Sequence, residues 1–598
     1  MPNTDFVVGT PIQRSWLQEV NDAVFDFVLL DSSSERKPVS YYGLYPSATV
    51  DQTTEINATC AAALADGVDL YWGPGVYIRS GAITNSVSWY GASSDLVEHR
   101  NTGALGVGGR IDCTADNITI SGIRFTAPNT PLTATNDATE TSTVLRFTSV
   151  KNAVVERCEF NYIYGGGVLF RNVTRGTVRW NVAKSMWKDW CHTTGASTDI
   201  TVENNIIENC GDDGIAVVGY DTGSGTLGQP TNVVIRNNTI RGQKFARGIA
   251  IVGGKDVEIY NNHVDGLMPS DYPSTAPDTK NYRMLCGLYI ATESVGGGGA
   301  YSTYAPENIK GRNNKIINCG YTSEFSGSQL SAIQVSGRAG VTIKKIDLDV
   351  DIANVGTIGI YVSGGATGGI EDLTLTGSIT DNTDPNGWFG TAGAGTANAI
   401  EVQNVKNHSV NMRLDTIGGA GGYGAATCTG YADIKIETKK INKAGTAGKD
   451  FWNFQTGSSL SDIYYELTVL EQTNVGSAGT AYYIERMLEC VNAGKVRKCV
   501  ITDYAGLAKV PLLGVAVQTI AVGASPFTYT NTNPYPVNAR VVAGTVSSIQ
   551  RGMTTGVAVP VYSTIPSRTF GMVHIQPGES LVVTYSSAPT MDYTPSTS

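Results

Sequence analysis

Apolar and polar residues alternate in short runs through the middle of the chain, and four such runs end on the same dipeptide. Asp199–Glu203, Asn232–Arg236, Asp256–Tyr260 and Asn308–Arg312 are each followed by an Asn-Asn pair, at 204–205, 237–238, 261–262 and 313–314. After each pair come a turn, sometimes a long insertion, and then a small residue leading an apolar strand: Gly214-Ile-Ala-Val-Val, Gly248-Ile-Ala-Ile-Val, Gly287-Leu-Tyr-Ile-Ala and Ala332-Ile-Gln-Val. A period of two marks half-buried strands. Asn tolerates the left-handed turn conformation and bonds local backbone, so stacked turns can hold an Asn ladder bonded from rung to rung. The pattern predicts an all-β fold, a right-handed parallel β-helix with one coil per rung. Steps of 33, 24 and 52 residues between second Asn positions place the excess in polar loops at Tyr220–Thr231, Leu267–Cys286 and Glu293–Glu307. Loops that interrupt a solenoid at repeat-related places build the walls of a binding face. The ladder itself is assigned a structural role.

The ends of the chain read differently. Apolar residues at 16, 17, 20, 24, 27 and 28 follow a helical period with Ser15 as N-cap, and residues 1–40 form a segment that packs on a partner. Residues 41–510 form the β-helix. It opens with a capping helix over Thr53–Leu64, which covers strand edges, and first strands at Val68–Tyr71 and Gly75–Arg79. Further rungs are expected at 117–125, 143–147, 153–160, 341–350, 359–362, 372–379, 400–402, 408–414, 432–437 and 462–469, the later ones less regular. From 511 to 598 short strands with Pro-rich turns predict a small β-sandwich, with Asp592–Ser598 frayed.

Composition narrows the partners. A formal net charge of −10, with 16% charged residues and no basic run, argues against nucleic acid. No window is apolar enough to span a bilayer, and the opening residues lack the features of a secretory signal. Ten Cys are scattered without metal-ligand spacing and are read as reduced, small buried hydrophobes. Five His give no ligand pattern either, so neither a metal nor another cofactor is expected.

Three stretches carry a family resemblance. The opening TPIQRSWLQEVNDAV resembles the start of phage tail proteins that dock onto the virion. Val50–Ile83 is similar to the entry of the pectate-lyase-like superfamily, and PGESLVVTYSSAPTM resembles a terminal β-domain of capsule-degrading tailspikes. The order as a whole resembles bacteriophage tailspikes. That resemblance implies a virion-borne homotrimer, attached to the phage tail or baseplate through residues 1–40, that binds and usually cleaves bacterial capsular polysaccharide or O-antigen.

Aligning Thr177–Thr193 with Thr201–Val217, an offset of 24, sets Asp189 over Asp213, Lys188 over Asp212, Trp190 over Gly214 and His192 over Ala216. Arg247 precedes Gly248 as Asp213 precedes Gly214. Rungs ~4.8 Å apart would turn Asp189, Asp213 and Arg247 into an acid–acid–base column flanked by Asp212. Position 216 and its equivalents His192, Ala250, Tyr289, Gln334 and Tyr361 point outward. Glycosidic hydrolysis needs one carboxylic acid and one carboxylate, which makes Asp189, Asp212 and Asp213 the catalytic candidates. Gly211-Asp212-Asp213 resembles the Asp pair of polygalacturonase-type hydrolases, although that family's Gly-His-Gly and Arg-x-Lys motifs are missing. His192, Arg247, Trp187, Trp190, Tyr289 and Glu293 are the candidates for saccharide binding. Two other readings stay open. A polysaccharide lyase would use His192, a Tyr or Lys188 as base with Arg247 neutralising a uronate, and a non-catalytic adhesin would use the same groove only to bind. An Asp before Gly also bonds turn amides with no chemistry at all.

Overall fold

The computed structural model describes residues 35–595, apart from 104–108, 128–141, 222–227, 244–245, 268–283, 296–300, 321–330, 356–357, 366–367, 383–397, 418–420, 443–451, 455–458, 474–495, 504–517, 534–535, 543–544, 554–558 and 563–571. The helix expected over 16–28 and much of the three long loops lie outside the described residues. The chain is a right-handed parallel β-helix followed by antiparallel sheets. It divides into two compact units, one of residues 1–244 and 269–280, the other of 245–268 and 281–598.

In the first unit a helix over Thr53–Asp66 buries Ile56, Thr59, Cys60 and Ala63, one face at helical spacing. Gly67, at φ 67°, ends it: its N–H donates to the Leu64 carbonyl and the Val68 N–H to the Ala63 carbonyl. Asn57 ties it to the first coil, donating to the Ala82 carbonyl and accepting from the Thr84 N–H. Each coil beyond it has three strands. Thr174–Arg179, Val182–Met186 and Cys191–Thr194 make one, and Thr198–Glu203, Ile206–Glu208 and Ile215–Val218 the next. Thr177 pairs with Thr201, Val182 with Ile206 and His192 with Ala216, the offset of 24 read from sequence. Val178, Ile200, Val202, Ile207, Ile215 and Val217 are fully buried between the sheets.

The Asn pairs divide the work of the turn. Asn204, Asn237, Asn261 and Asn313 take the left-handed conformation, at φ 52–57°. The second residue of each pair is buried and forms the ladder. Asn205 Nδ2 donates to Asn238 Oδ1 at 2.9 Å and Asn181 Nδ2 to Asn205 Oδ1 at 3.0 Å; in the second unit Asn262 Nδ2 donates to Asn314 Oδ1 at 3.0 Å. Asn181 extends the ladder by a rung that lacks an Asn pair, because Trp180 supplies the left-handed residue there, at φ 55°.

In the second unit the coil simplifies as the Asn pairs end. The two strands flanking the turn merge into single strands of 11 to 15 residues, Glu307–Ile317, Val341–Ala353, Gly368–Asn382 and onward. Each is matched by a short strand such as Ile358–Ser363 or Asn398–Gln403. Beyond Val496–Asp503 the chain builds two four-stranded antiparallel sheets that share a core of Val537, Ala539, Val541, Ile549, Ile575, Leu581, Val583 and Met591. The expectation of a frayed tail is corrected for residues 592–595, while 596–598 lie outside the described residues. Thr590–Pro595 is a strand paired with Val537–Val542, and Asp592 is buried against Arg540, 2.9 Å from Nε. Among the described residues, Cys60, Cys113, Cys158, Cys191, Cys210, Cys286, Cys319 and Cys428 are buried and form no disulfide.

Candidate active site

Asp189 and Asp213 stand in the turns that precede the short strands Cys191–Thr194 and Ile215–Val218. The turns stack because their backbones bond directly: Gly167 N–H donates to the Asp189 carbonyl and Trp190 N–H to the Asp213 carbonyl, both at 3.2 Å. Gly211 is required by this stacking. A Cβ there would lie 2.2 Å from the Trp187 carbonyl oxygen of the coil before. The Gly-Asp-Asp run is therefore a packing glycine followed by two carboxylates.

Carboxylate oxygens of Asp189, Asp212 and Asp213 lie within 4.8 Å of one another. Asp213 is buried, at 4% exposure, while Asp189 and Asp212 are partly exposed. Asp189 Oδ1 accepts the Asp213 N–H at 3.0 Å, and its Oδ2 lies 2.6 Å from His192 Nδ1. A carboxylate only accepts, so Nδ1 is the donor in this contact, and in the neutral ring the lone pair is on Nε2. Nε2 is buried and has no hydrogen-bond partner among the described residues. The cluster thus holds three crowded acids and one oriented imidazole, the material of acid–base chemistry. Three carboxylates this close could also hold a hard divalent cation, although each Asp189 oxygen already accepts one hydrogen bond.

The two tryptophans do not behave alike. Trp190 is fully buried and meets Phe160 edge-on, with ring centroids 6.5 Å apart. Its assignment to saccharide binding is corrected, since coil stacking turns that ring into the core. Trp187 is also buried, at 8% exposure, and stacks parallel on Tyr164 at 6.2 Å.

Arg247, Tyr289 and Glu293 form their own constellation in the second unit. The Arg247 guanidinium lies 4.5 Å from the Tyr289 ring centre, a cation–π contact. Its Nη2 is 3.7 Å from Glu293 Oε1. Burial, and next the Glu293 charge, raise the Tyr289 phenol above its ordinary range, so it stays protonated in neutral solution. Tyr289 pairs with Ala250 and Gln334, and Gln334 with Tyr361, the register expected from sequence; Tyr289, Gln334 and Tyr361 are partly exposed, whereas Ala216 and Ala250 in the same row are fully buried.

Sequence reasoning passed over Arg110, Asp112, Arg146 and Arg171. In the first unit the row running back from His192 is Leu169, Arg146 and Asp112, each opposite the next. Arg171 lies on the same strand face as Leu169 by alternation. Counting back two steps of 23 residues from His192 reaches Arg146 and would have found the row.

Residues 66–269 match the family model described as the right-handed beta helix region. No functionally curated protein matches the chain in sequence. Among solved structures, the catalytic unit of a thermostable GH87 alpha-1,3-glucanase from Streptomyces thermodiastaticus is similar at 16% identity and a TM-score of 0.43, covering 72% of this chain and 69% of that one. The surface protein and adhesin PfbA of Streptococcus pneumoniae is similar at 13% identity, 70% and 99% coverage and a TM-score of 0.39. The A-module of the mannuronan C-5 epimerase AlgE6 of Azotobacter vinelandii is similar at 14% identity, 71% and 98% coverage and 0.37.

Proposed function

We propose that the chain binds and depolymerises a bacterial surface polysaccharide, capsule or O-antigen, by hydrolysis of internal glycosidic bonds. The observation that carries this reading is the carboxylate cluster of Asp189, Asp212 and Asp213, in which one acid holds an imidazole and the amide of the next coil. Hydrolysis requires a proton donor to the leaving oxygen and a carboxylate that acts as base or nucleophile. Neighbouring carboxyl groups at this separation can supply both roles. Asp212 and Asp213 divide these roles, and Asp189 is the group that positions His192 and the Asp213 turn.

One observation favours a second reading. A histidine anchored through Nδ1 is poised to take a proton at Nε2, as elimination from a uronate would require. Incubation of the protein with a panel of capsular and O-antigen polysaccharides separates the two. New reducing ends without ultraviolet absorbance support hydrolysis. Absorbance from an unsaturated uronate overturns it in favour of elimination, and binding with neither product makes the protein an adhesin.

The same proposal makes the chain a homotrimeric tailspike on a phage tail, docked through residues 1–40, with 511–598 as a trimerisation or carbohydrate-binding domain. Deleting residues 1–40 is expected to spare folding and saccharide activity and to abolish incorporation into virions. A monomer in light scattering at micromolar concentration would sink the trimer.

A further inference from the structure

Two arginines share one carboxylate on the face that carries His192. Arg110 Nε lies 2.8 Å from Asp112 Oδ2, and Arg146 Nε 2.7 Å from Asp112 Oδ1. All three side chains are 17–20% exposed, so the group is partly buried and partly open. Each guanidinium engages Asp112 through Nε alone. Among the described residues nothing else takes their Nη groups. The assembly keeps a net charge of +1, with Nη donors left over on both arginines. Arg110 immediately precedes the strand Ile111–Cys113 that carries Asp112, and Arg146 is opposite Asp112 on the next rung. The row then passes through Leu169 to His192. At ~4.8 Å per rung, Arg146 stands about 10 Å from His192 along the solenoid.

Nothing in the acid cluster needs this pair of arginines. A surface network built only for charge balance would match two guanidinium groups with two carboxylates. Here a single acid orients both forks and leaves them one negative charge short. Guanidinium Nη groups held in place present the planar, paired donors that suit a carboxylate. Arg171, on the rung after Arg146 and two residues along from Leu169, continues the cationic face toward the cluster.

We propose that Arg110 and Arg146, oriented by Asp112, form a subsite for the carboxylate of an acidic sugar on the polymer, three to four rungs from the coil that carries Asp212 and Asp213. The substrate class is then a carboxylate-bearing polysaccharide, and the neutral glucans are excluded. This inference rests on the saccharide-binding reading of the same face.

The test uses the full chain and an array of bacterial surface polysaccharides of known composition. The polysaccharide held most tightly is expected to carry carboxylates. Chemical reduction of its carboxyl groups to primary alcohols is expected to weaken binding by wild type about 10–100-fold, the range of hydrogen bonds to charged groups. Arg146→Gln should weaken the native polymer to a similar degree and the reduced polymer no further, with Arg146→Lys falling between. The reduction experiment needs no variant, so misfolding of Arg146→Gln cannot hide the answer. Unchanged affinity after carboxyl reduction overturns the inference, as does a best ligand that is neutral or charged only through phosphate or sulfate. In those cases cleavage that disappears in Asp213→Asn would leave the proposed function standing. If no polysaccharide binds, both fall together.

Discussion

Asp189 accepts two hydrogen bonds with its two oxygens, one from His192 Nδ1 at 2.6 Å and one from the Asp213 backbone amide at 3.0 Å. It therefore fixes an imidazole on its own coil and the turn of the next coil together. Alignment alone made Asp189 and Asp213 equivalent members of a column. The bonds separate their roles, since Asp189 positions the groups that Asp213 and His192 present.

Asp189→Asn tests that role. Its amide oxygen can still accept the Asp213 N–H, but its amide nitrogen would face His192 Nδ1, and the ring would have to move its proton to Nε2 or lose the bond. Turnover is expected to fall ~10²–10⁴-fold, as for loss of acid–base assistance. KM should change little and the pH–rate profile should shift. Turnover within threefold of wild type, with an unchanged profile, would show the bond to be structural only.

Asp213→Asn and Gly211→Ala form a contrasting pair two residues apart. Asn keeps the shape of a buried Asp, so turnover should fall ~10²–10⁴-fold while the melting temperature moves by only a few degrees. Ala at 211 would drive a Cβ against the Trp187 carbonyl, 2.2 Å away. Stability and activity should then fall together. If Asp213→Asn keeps activity and loses stability instead, the carboxylate serves the turn and the chemistry lies elsewhere.

Most of the fold was legible because a solenoid repeats its own evidence. The Asn pairs gave the turn and the alternation gave the inner face, and the offset of 24 gave the His192–Ala216 register. What was not legible needed information from outside the repeat. Trp190 sits in a turn by sequence, yet the next coil presses it into the core beside Phe160. Asp592 lies six residues before Ser598, but Arg540 and a neighbouring strand hold it. The shared grip of Arg110 and Arg146 on Asp112 joins residues up to 36 apart, and the strands that carry Asp112 and Arg146 contain no Asn pair to mark their register.

Asn205 bears on the ladder. Its Nδ2 donates to the Val178 carbonyl and Asn238 Oδ1, and its Oδ1 accepts from Asn181 N and Nδ2, all within 2.9–3.0 Å. Asn205→Ala leaves several buried groups unpaired at about 1–3 kcal/mol each, enough to lower the unfolding midpoint in denaturant markedly. Asn204→Gly, at a left-handed position of φ 56°, should be nearly neutral, while Asn204→Ala should cost ~1 kcal/mol. Equal tolerance at 204 and 205 would contradict the division of labour within the pair.

His408 ties stability to pH. It is fully buried, its Nε2 lies 2.6 Å from the Tyr423 hydroxyl, and its Nδ1 has no partner among the described residues. Burial lowers its pKa from the ordinary 6.5 to about 4, because a charged ring there would lose its hydration. The folded value lies below the unfolded one, so the neutral ring's contribution is complete above pH 6.5. As pH falls below 6.5 the unfolded chain takes up a proton that the fold resists, and the loss grows until about pH 4. Over that window the loss amounts to roughly 3 kcal/mol, at ~1.4 kcal/mol per pH unit. His99, buried among Trp72, Trp89 and Tyr77 with its pKa well below normal, acts in the same direction. The measurement is therefore a difference: denaturant unfolding of wild type and of His408→Gln at steps from pH 7 to pH 4. Wild type should lose its advantage over the variant as the pH falls through this window. Parallel curves for the two proteins would show that His408 is protonated as easily in the fold as in the unfolded chain.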